Sequence, residues 1–174
     1  MMSGKIRLLQ HGRLTEEFEA QLAGEFDSCF LWQEPDRAAF LARHGGEFAG
    51  LVTSGGAGAD AALIDALPSL KVIASRGVGY DKIDIRLASE LGVPVDTNGG
   101  ANAWAVAEHT VALLLSLYKR LTHCDRSVRE GNWRKPISGF NTFEVAGKTL
   151  GLIGAGKIGR KVAYRFAGFE AKVI

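Results

Sequence analysis

Residues 149–153, Thr-Leu-Gly-Leu-Ile, run directly into Gly154-Ala155-Gly156-Lys157-Ile158-Gly159. Ile158, Val162, Ala163 and Phe166 then recur along one face of a helix. A strand, a G-x-G-x-x-G turn and a helix in this order suit the pyrophosphate of a dinucleotide. Gly154 would make the tight turn, Gly156 would let the phosphates approach the backbone, and Gly159 would let the helix pack closely on the strand. The helix N-terminus adds N–H groups and a partial positive charge. A Walker loop is excluded, because no Lys-Ser or Lys-Thr pair follows the last glycine. An acidic partner for the ribose is expected about 20 positions beyond the glycines. The sequence reaches Ile174 before that point, inside what reads as the next strand. The 174 residues are therefore expected to be the N-terminal portion of a longer protein.

Two more glycine-rich stretches, 54–58 (Ser-Gly-Gly-Ala-Gly) and 77–79 (Gly-Val-Gly), each follow an apolar run. At strand ends, glycine lets backbone N–H groups come close to an anion; the same residues also make simple tight turns. The titratable side chains offer less. Glu108 and His109 are neighbours in a helical stretch, so they point about 100° apart and do not face each other. His11, His44 and His123 stand alone, without metal-ligand spacing. Lys157, Arg160, Lys161 and Arg165 read as the solvated face of an amphipathic helix. Cys29 and Cys124 form no C-x-x-C or Cys/His pattern. Two reduced thiols and no metal are expected, with a cytoplasmic location.

The elements that must position these residues alternate in type. Strands are predicted at 6–10, 29–32, 48–53, 71–75 and 93–95. Helices are predicted at 15–26, from Pro35 to His44, at 59–67 and at 84–91, with Gly45-Gly46 stopping the second of them. Strands alternating with helices imply a parallel sheet, whose ligands sit at the carboxyl ends of the strands. From 102 to about 130, Val106, Thr110, Leu113, Leu114, Leu117 and Leu121 mark one continuous helical stripe, long enough to connect two domains. An extended loop is expected over 129–141, and a final strand over 171–174.

Apolar residues make up 47% of the chain and charged residues 23%, the balance of an ordinary globular protein. With 21 basic and 19 acidic residues the formal charge is +2, too small for a sequence-independent pull on nucleic acid or anionic lipid. The opening ten residues contain no apolar signal-peptide core. The longest apolar run, 111–115, falls far short of the roughly 18 residues that span a bilayer.

These segments together resemble the D-isomer-specific 2-hydroxyacid dehydrogenases. The matching pieces are 67–73 (Leu-Pro-Ser-Leu-Lys-Val-Ile), 77–84 (Gly-Val-Gly-Tyr-Asp-Lys-Ile-Asp), Gly100-Ala101-Asn102, Ala105-Val106-Ala107-Glu108-His109, Gly131-Asn132-Trp133, and 147–151 leading into the glycine-rich turn. They extend from about residue 50 to Ile174. Segments 77–84 and 125–134 look most like the glyoxylate and hydroxypyruvate reductases.

The resemblance implies a flavodoxin-like substrate domain over 1–100. Over 101–174 it implies a connector helix and the first part of a Rossmann domain for NAD or NADP. Between them a hydride would pass reversibly between the cofactor and a small 2-oxo or 2-hydroxy acid. Gly77, Val78 and Gly79 would hold the substrate carboxylate through backbone N–H groups, with Ser54 and Gly55 on the neighbouring loop. Val106, Gly154, Gly156, Lys157, Ile158 and Gly159 would meet the cofactor. The family's catalytic Arg, Glu and His find no counterpart before Ile174, so the chain alone is expected to be inactive. The connector helix corresponds to a region that packs across a two-fold axis, implying a homodimer. Where relatives often carry Thr-Pro before Gly-Ala-Asn, this sequence has Asn98-Gly99. A non-catalytic fragment or a dinucleotide-sensing module would carry the same features.

Overall fold

A computed structural model describes residues 4–133 and 142–174. It divides into two compact units, Met1–Gly99 and Gly100–Ile174. In the first unit, β1 (Arg7–Gln10), α1 (Glu16–Glu25), β2 (Asp27–Phe30), α2 (Arg37–His44), β3 (Gly50–Ser54), α3 (Ala61–Asp65), β4 (Val72–Arg76), α4 (Ile85–Glu90) and β5 (Val95–Thr97) alternate along the chain. The strands form one parallel sheet in the order β2-β1-β3-β4-β5. That is the flavodoxin-like order, so the expected α/β class and parallel sheet are found.

Strand alternation sets the core. Leu9, Leu51 and Ile73 are register partners across β1, β3 and β4, and each is fully buried. They pack with Leu63 and Ile64 of α3, Ala88 of α4, and the half-buried Phe40 and Leu41 of α2. Helices α2, α3 and α4 therefore share one face of the sheet. Helix α1 contributes no buried residue. Its stripe of Phe18, Leu22 and Phe26 leaves Phe18 52% exposed.

Three helices begin on aspartates whose side chains accept the N–H three residues on. Asp36 takes that of Ala39 at 3.0 Å, Asp60 that of Leu63 at 2.9 Å, and Asp84 that of Leu87 at 2.9 Å. Each satisfies one orphan donor of the first turn.

Some boundaries differ from the sequence reading. Asp36 is the cap of α2, so Pro35 lies before the helix and does not open it. Strand β2 ends at Phe30, and Trp32 belongs to a 3-10 turn, Leu31–Gln33. Strand β5 lies two residues later than expected. Gly45 ends α2 in a right-handed conformation, not a left-handed cap. Glycine is needed there because a Cβ would run into the carbonyl of Ala66.

The second unit opens with α5 (Ala103–Lys119) and α6 (Leu121–Arg129). The single helix expected over 102–130 is broken at Arg120, which sits in the left-handed region at φ 52° and ψ 39°. The loop expected over 129–141 lies mostly outside the described residues. Strand β6 (Thr149–Leu150), helix α7 (Lys157–Ala167) and strand β7 (Lys172–Val173) form a parallel β-α-β unit.

Ala107, Val145, Val162 and Phe166 are buried together, flanked by Val111, Leu114, Leu115 and Tyr118 of α5. Helix α5 is thus part of this core through Ala107, and its Ala103 is buried as well. The predicted stripe is split: Leu114 packs on this core, while Leu113, Leu117 and Leu121 are 58%, 73% and 52% exposed. Among the described residues no helix is long and apolar enough to cross a membrane.

Candidate active-site loops and dinucleotide turn

The first unit brings the loops after β3 and β4 together at the carboxyl ends of the strands. Thr53 and Ser75 are register partners with buried side chains pointing to the core face. A buried hydroxyl must find an acceptor. The Thr53 hydroxyl donates to the Gly58 carbonyl at 2.5 Å and the Ser75 hydroxyl to the Gly79 carbonyl at 3.2 Å. Each strand end therefore ties down the far side of its own loop.

Further bonds close the first loop. The Gly58 N–H donates to the Ser54 carbonyl, the Ala57 N–H to the Ser54 hydroxyl, and Lys82 Nζ to the Gly56 carbonyl at 3.0 Å. His11 Nδ1 lies 3.0 Å from the Gly58 carbonyl and acts as donor there. Gly58 has φ +71°, and a Cβ on it would collide with the Lys82 carbonyl. His11 is thus occupied structurally. His44, near Glu47 and Phe40, is likewise unrelated to these loops.

The second loop faces outward. Gly77 has φ +102°, and the Cβ position is open. Its carbonyl accepts from Asn98 N–H at 2.9 Å. Among the described residues, the N–H groups of Gly77, Val78 and Gly79 donate no hydrogen bond. Nor do those of Gly55 and Gly56. The two loops touch: a Cβ on Gly55 would stand 3.0 Å from the Gly79 carbonyl. Consecutive unsatisfied N–H groups beside an adjoining set make a concavity suited to an anion. Ser54, Gly55, Gly77, Val78 and Gly79 are therefore brought to one place. Thr53, Ser75, Lys82 and Asn98 hold them there and escaped the sequence reading. Polar residues at inward strand positions were the available signal for the first two.

The second unit builds the turn after β6. Gly154 has φ +97°, and Gly156 precedes α7 in an extended conformation with nothing within 4 Å of its Cβ position. A Cβ on Gly159 would strike the Gly154 carbonyl, so the helix start closes directly on the turn. Among the described residues the N–H groups of Ile158 and Gly159 donate no hydrogen bond. No acidic residue stands in the first turn of α7 to compete for its positive end. Open space at Gly156 and unmet donors along the helix axis fit a pyrophosphate.

Lys157 opens α7, and its aliphatic stem lies against Gly100, where a Cβ would stand 2.6 Å from Cδ. Lys161 Nζ lies 3.4 Å from the Trp104 ring centroid and Arg165 Cζ 4.9 Å. Arg165 also donates to Glu108 at 2.7 Å. The basic face is thus partly bound to α5, which corrects its reading as a solvated face. Val106 is half-buried in the first turns of the same helix. Among the described residues no cluster of His, Cys, Asp or Glu could hold a metal.

Comparison with known proteins follows the same lines. The chain is 34% identical over 160 residues to the glyoxylate/hydroxypyruvate reductase A of Arabidopsis thaliana, covering 92% of this chain and 51% of that protein. It superposes with TM-score 0.90 and 32% identity on a 2-hydroxyacid dehydrogenase from Ketogulonicigenium vulgare Y25, covering 98% of this chain and 54% of the other. It is also similar, at TM-score 0.82 and 28% identity, to an NADPH-dependent glyoxylate/hydroxypyruvate reductase of Sinorhizobium meliloti in complex with NADP and malonate. There 98% of this chain covers 52% of the other. The chain thus spans about half the length of the relatives it matches. The family model of the D-isomer specific 2-hydroxyacid dehydrogenase catalytic domain matches residues 11–171, a span that holds the 54–58 and 77–79 loops and the glycine turn, and the chain belongs to that family.

Proposed function

We propose that this chain supplies the substrate-holding and pyrophosphate-holding parts of an NAD(P)H-dependent reductase of small 2-oxo acids, glyoxylate or hydroxypyruvate foremost. The observation that carries this reading is the row of unmet N–H groups at Gly77, Val78 and Gly79, beside Gly55, in one chain with the Gly154–Gly159 turn. A carboxylate accepting two or three backbone N–H groups gains charge-assisted bonds, about twice as strong as neutral ones. The first unit then acts as the substrate domain. In the second unit Gly154, Gly156 and Gly159 shape the seat for the phosphates, Lys157 and Ile158 face them with backbone N–H groups, and Val106 lies against the cofactor. Bound there, NADH or NADPH supplies the hydride.

The acid that protonates the carbonyl oxygen, and the arginine that grips the carboxylate, are assigned to the half of the relatives' length that these residues do not span. The isolated chain is accordingly inactive. The working protein is a homodimer joined through the exposed leucines of α5 and α6. Steady-state assays of the whole protein with a panel of 2-oxo acids and both cofactors test the reading. Turnover of glyoxylate or hydroxypyruvate is expected. Absence of turnover on every acid, with cofactor demonstrably bound, overturns it.

A further inference from the structure

A second concavity in the first unit lies on the outer side of the 54–58 loop, which contributes Ala57 to its lining. It is a groove of about 650 Å³ between α2 and α3, open to solvent, and its lining includes none of Ser54, Gly55, Gly77, Val78 or Gly79. Its floor is apolar: Leu31 and Leu63 are 3% and 7% exposed. The helix surfaces that flank it carry alanines, Ala42 on α2 and Ala62 on α3 among them. Larger apolar side chains there would close the space, as cores ordinarily do. The volume is that of an ordinary small-molecule site.

The polar groups at this groove are unbalanced in sign. The cations Arg37 and Lys82 line it, with the His11 ring beside them, against one carboxylate, Asp60. Asp60 is already engaged by the Leu63 N–H as the cap of α3. Lys82 spends one of its donors on the Gly56 carbonyl and His11 its Nδ1 on the Gly58 carbonyl. Arg37 makes no hydrogen bond or ion pair among the described residues. An apolar floor with a cationic rim recognises a molecule with an apolar body and one negative head.

We infer that the α2–α3 groove is a binding site for a small aliphatic carboxylate, distinct from the outward-facing N–H groups of Gly55, Gly77, Val78 and Gly79. The chain seats the tail over Leu31 and Leu63, and the head pairs with Arg37 and Lys82. Two of the rim residues, His11 and Lys82, are those that bond the 54–58 loop from outside. Occupancy of the groove is thereby coupled to the loop that carries Ser54 and Gly55. The site stands independently of the proposed reductase activity.

The test is titration of the 174-residue chain, labelled at its alanine methyl groups, with hexanoate, and in parallel with 1-hexanol and glyoxylate. Hexanoate is expected to shift the Ala42 and Ala62 methyls saturably in the millimolar range. Hexanol and the Arg37→Glu variant should each bind at least about tenfold more weakly, the loss expected for one charge-assisted contact. Ala42→Leu should remove the shift at Ala62 while the remaining alanine resonances keep their folded positions. Glyoxylate should leave these methyls unmoved. Equal binding of hexanol overturns the carboxylate assignment. Absence of a saturable shift at Ala42 and Ala62 with hexanoate, or an unchanged response in Ala42→Leu, overturns the site.

Discussion

At the scale of single residues, the glycines separate into those enclosed by this chain and those that face open space. Gly58 and Gly159 are enclosed: a Cβ on either would collide with a carbonyl of this chain. Gly156 has φ −74°, which any residue adopts, and nothing within 4 Å of its Cβ position. A side chain there is harmless to the fold and obstructs only what approaches the turn. Gly156→Val is therefore expected to weaken dinucleotide binding by about two orders of magnitude or more, roughly 3 kcal/mol, with thermal unfolding nearly unchanged. Titration of the whole protein with NADH and NADPH, followed by nicotinamide fluorescence, measures this. An unchanged dissociation constant would mean that the phosphates sit elsewhere. The open turn at Gly156 was legible because a strand, a turn and a helix follow one another in sequence. The role of Gly58 was not, because the Lys82 carbonyl that excludes a side chain lies 24 residues away in the chain.

Among the elements, short helices carry the loops, and their starts matter more than their lengths. Helix α4 has six residues and follows the 77–83 segment directly. Asp84 anchors that junction twice. Its side chain accepts from Leu87 N–H and its own N–H donates to the Ala59 carbonyl. Asp84→Ala is expected to cost about 1 kcal/mol of stability, and Asp84→Asn much less, since asparagine also caps. Urea unfolding gives the difference, and faster hydrogen exchange at the Leu87 amide locates it. Equal stability of the two variants would show that the cap is idle.

The start of this helix was readable from Asp84 itself, and the starts of β1 and β4 to within one residue from their apolar runs, whereas β3 begins two residues later than its run. The break between α5 and α6 was not. Neither Gly nor Pro marks Arg120, and the apolar stripe continues across it. The stripe also misled as to the core. Helix α5 packs into the core through the small, buried Ala107 with Val111, Leu114, Leu115 and Tyr118 beside it, so of the stripe's leucines only Leu114 faces inward and Leu113, Leu117 and Leu121 remain exposed. Periodicity reports that a face is apolar; what covers it is decided by tertiary structure.

For the molecule as a whole, that uncovered stripe is the feature with the largest consequence. Leu113 and Leu117 lie one turn apart on α5, and Leu121 begins α6. Contiguous apolar surface of this kind on a folded protein marks an interaction site more often than a bare exterior. The proposed homodimer covers it with the same surface of a second copy, as a two-fold interface requires. Burying a leucine contributes about 1.5–3 kcal/mol, and a buried unpaired carboxylate costs further. Leu117→Asp is therefore expected to raise the dimer dissociation constant at least about a hundredfold. Lys119→Ala, two residues away and half-exposed, should change it little. The Leu117 side chain touches neither core cluster, so the variant should keep its folded circular dichroism spectrum while the association is lost. Sedimentation equilibrium of both variants across a range of concentrations decides the matter. A Leu117→Asp protein that associates as tightly as the parent would place the dimer contact on another surface and leave the α5 leucines to a different partner.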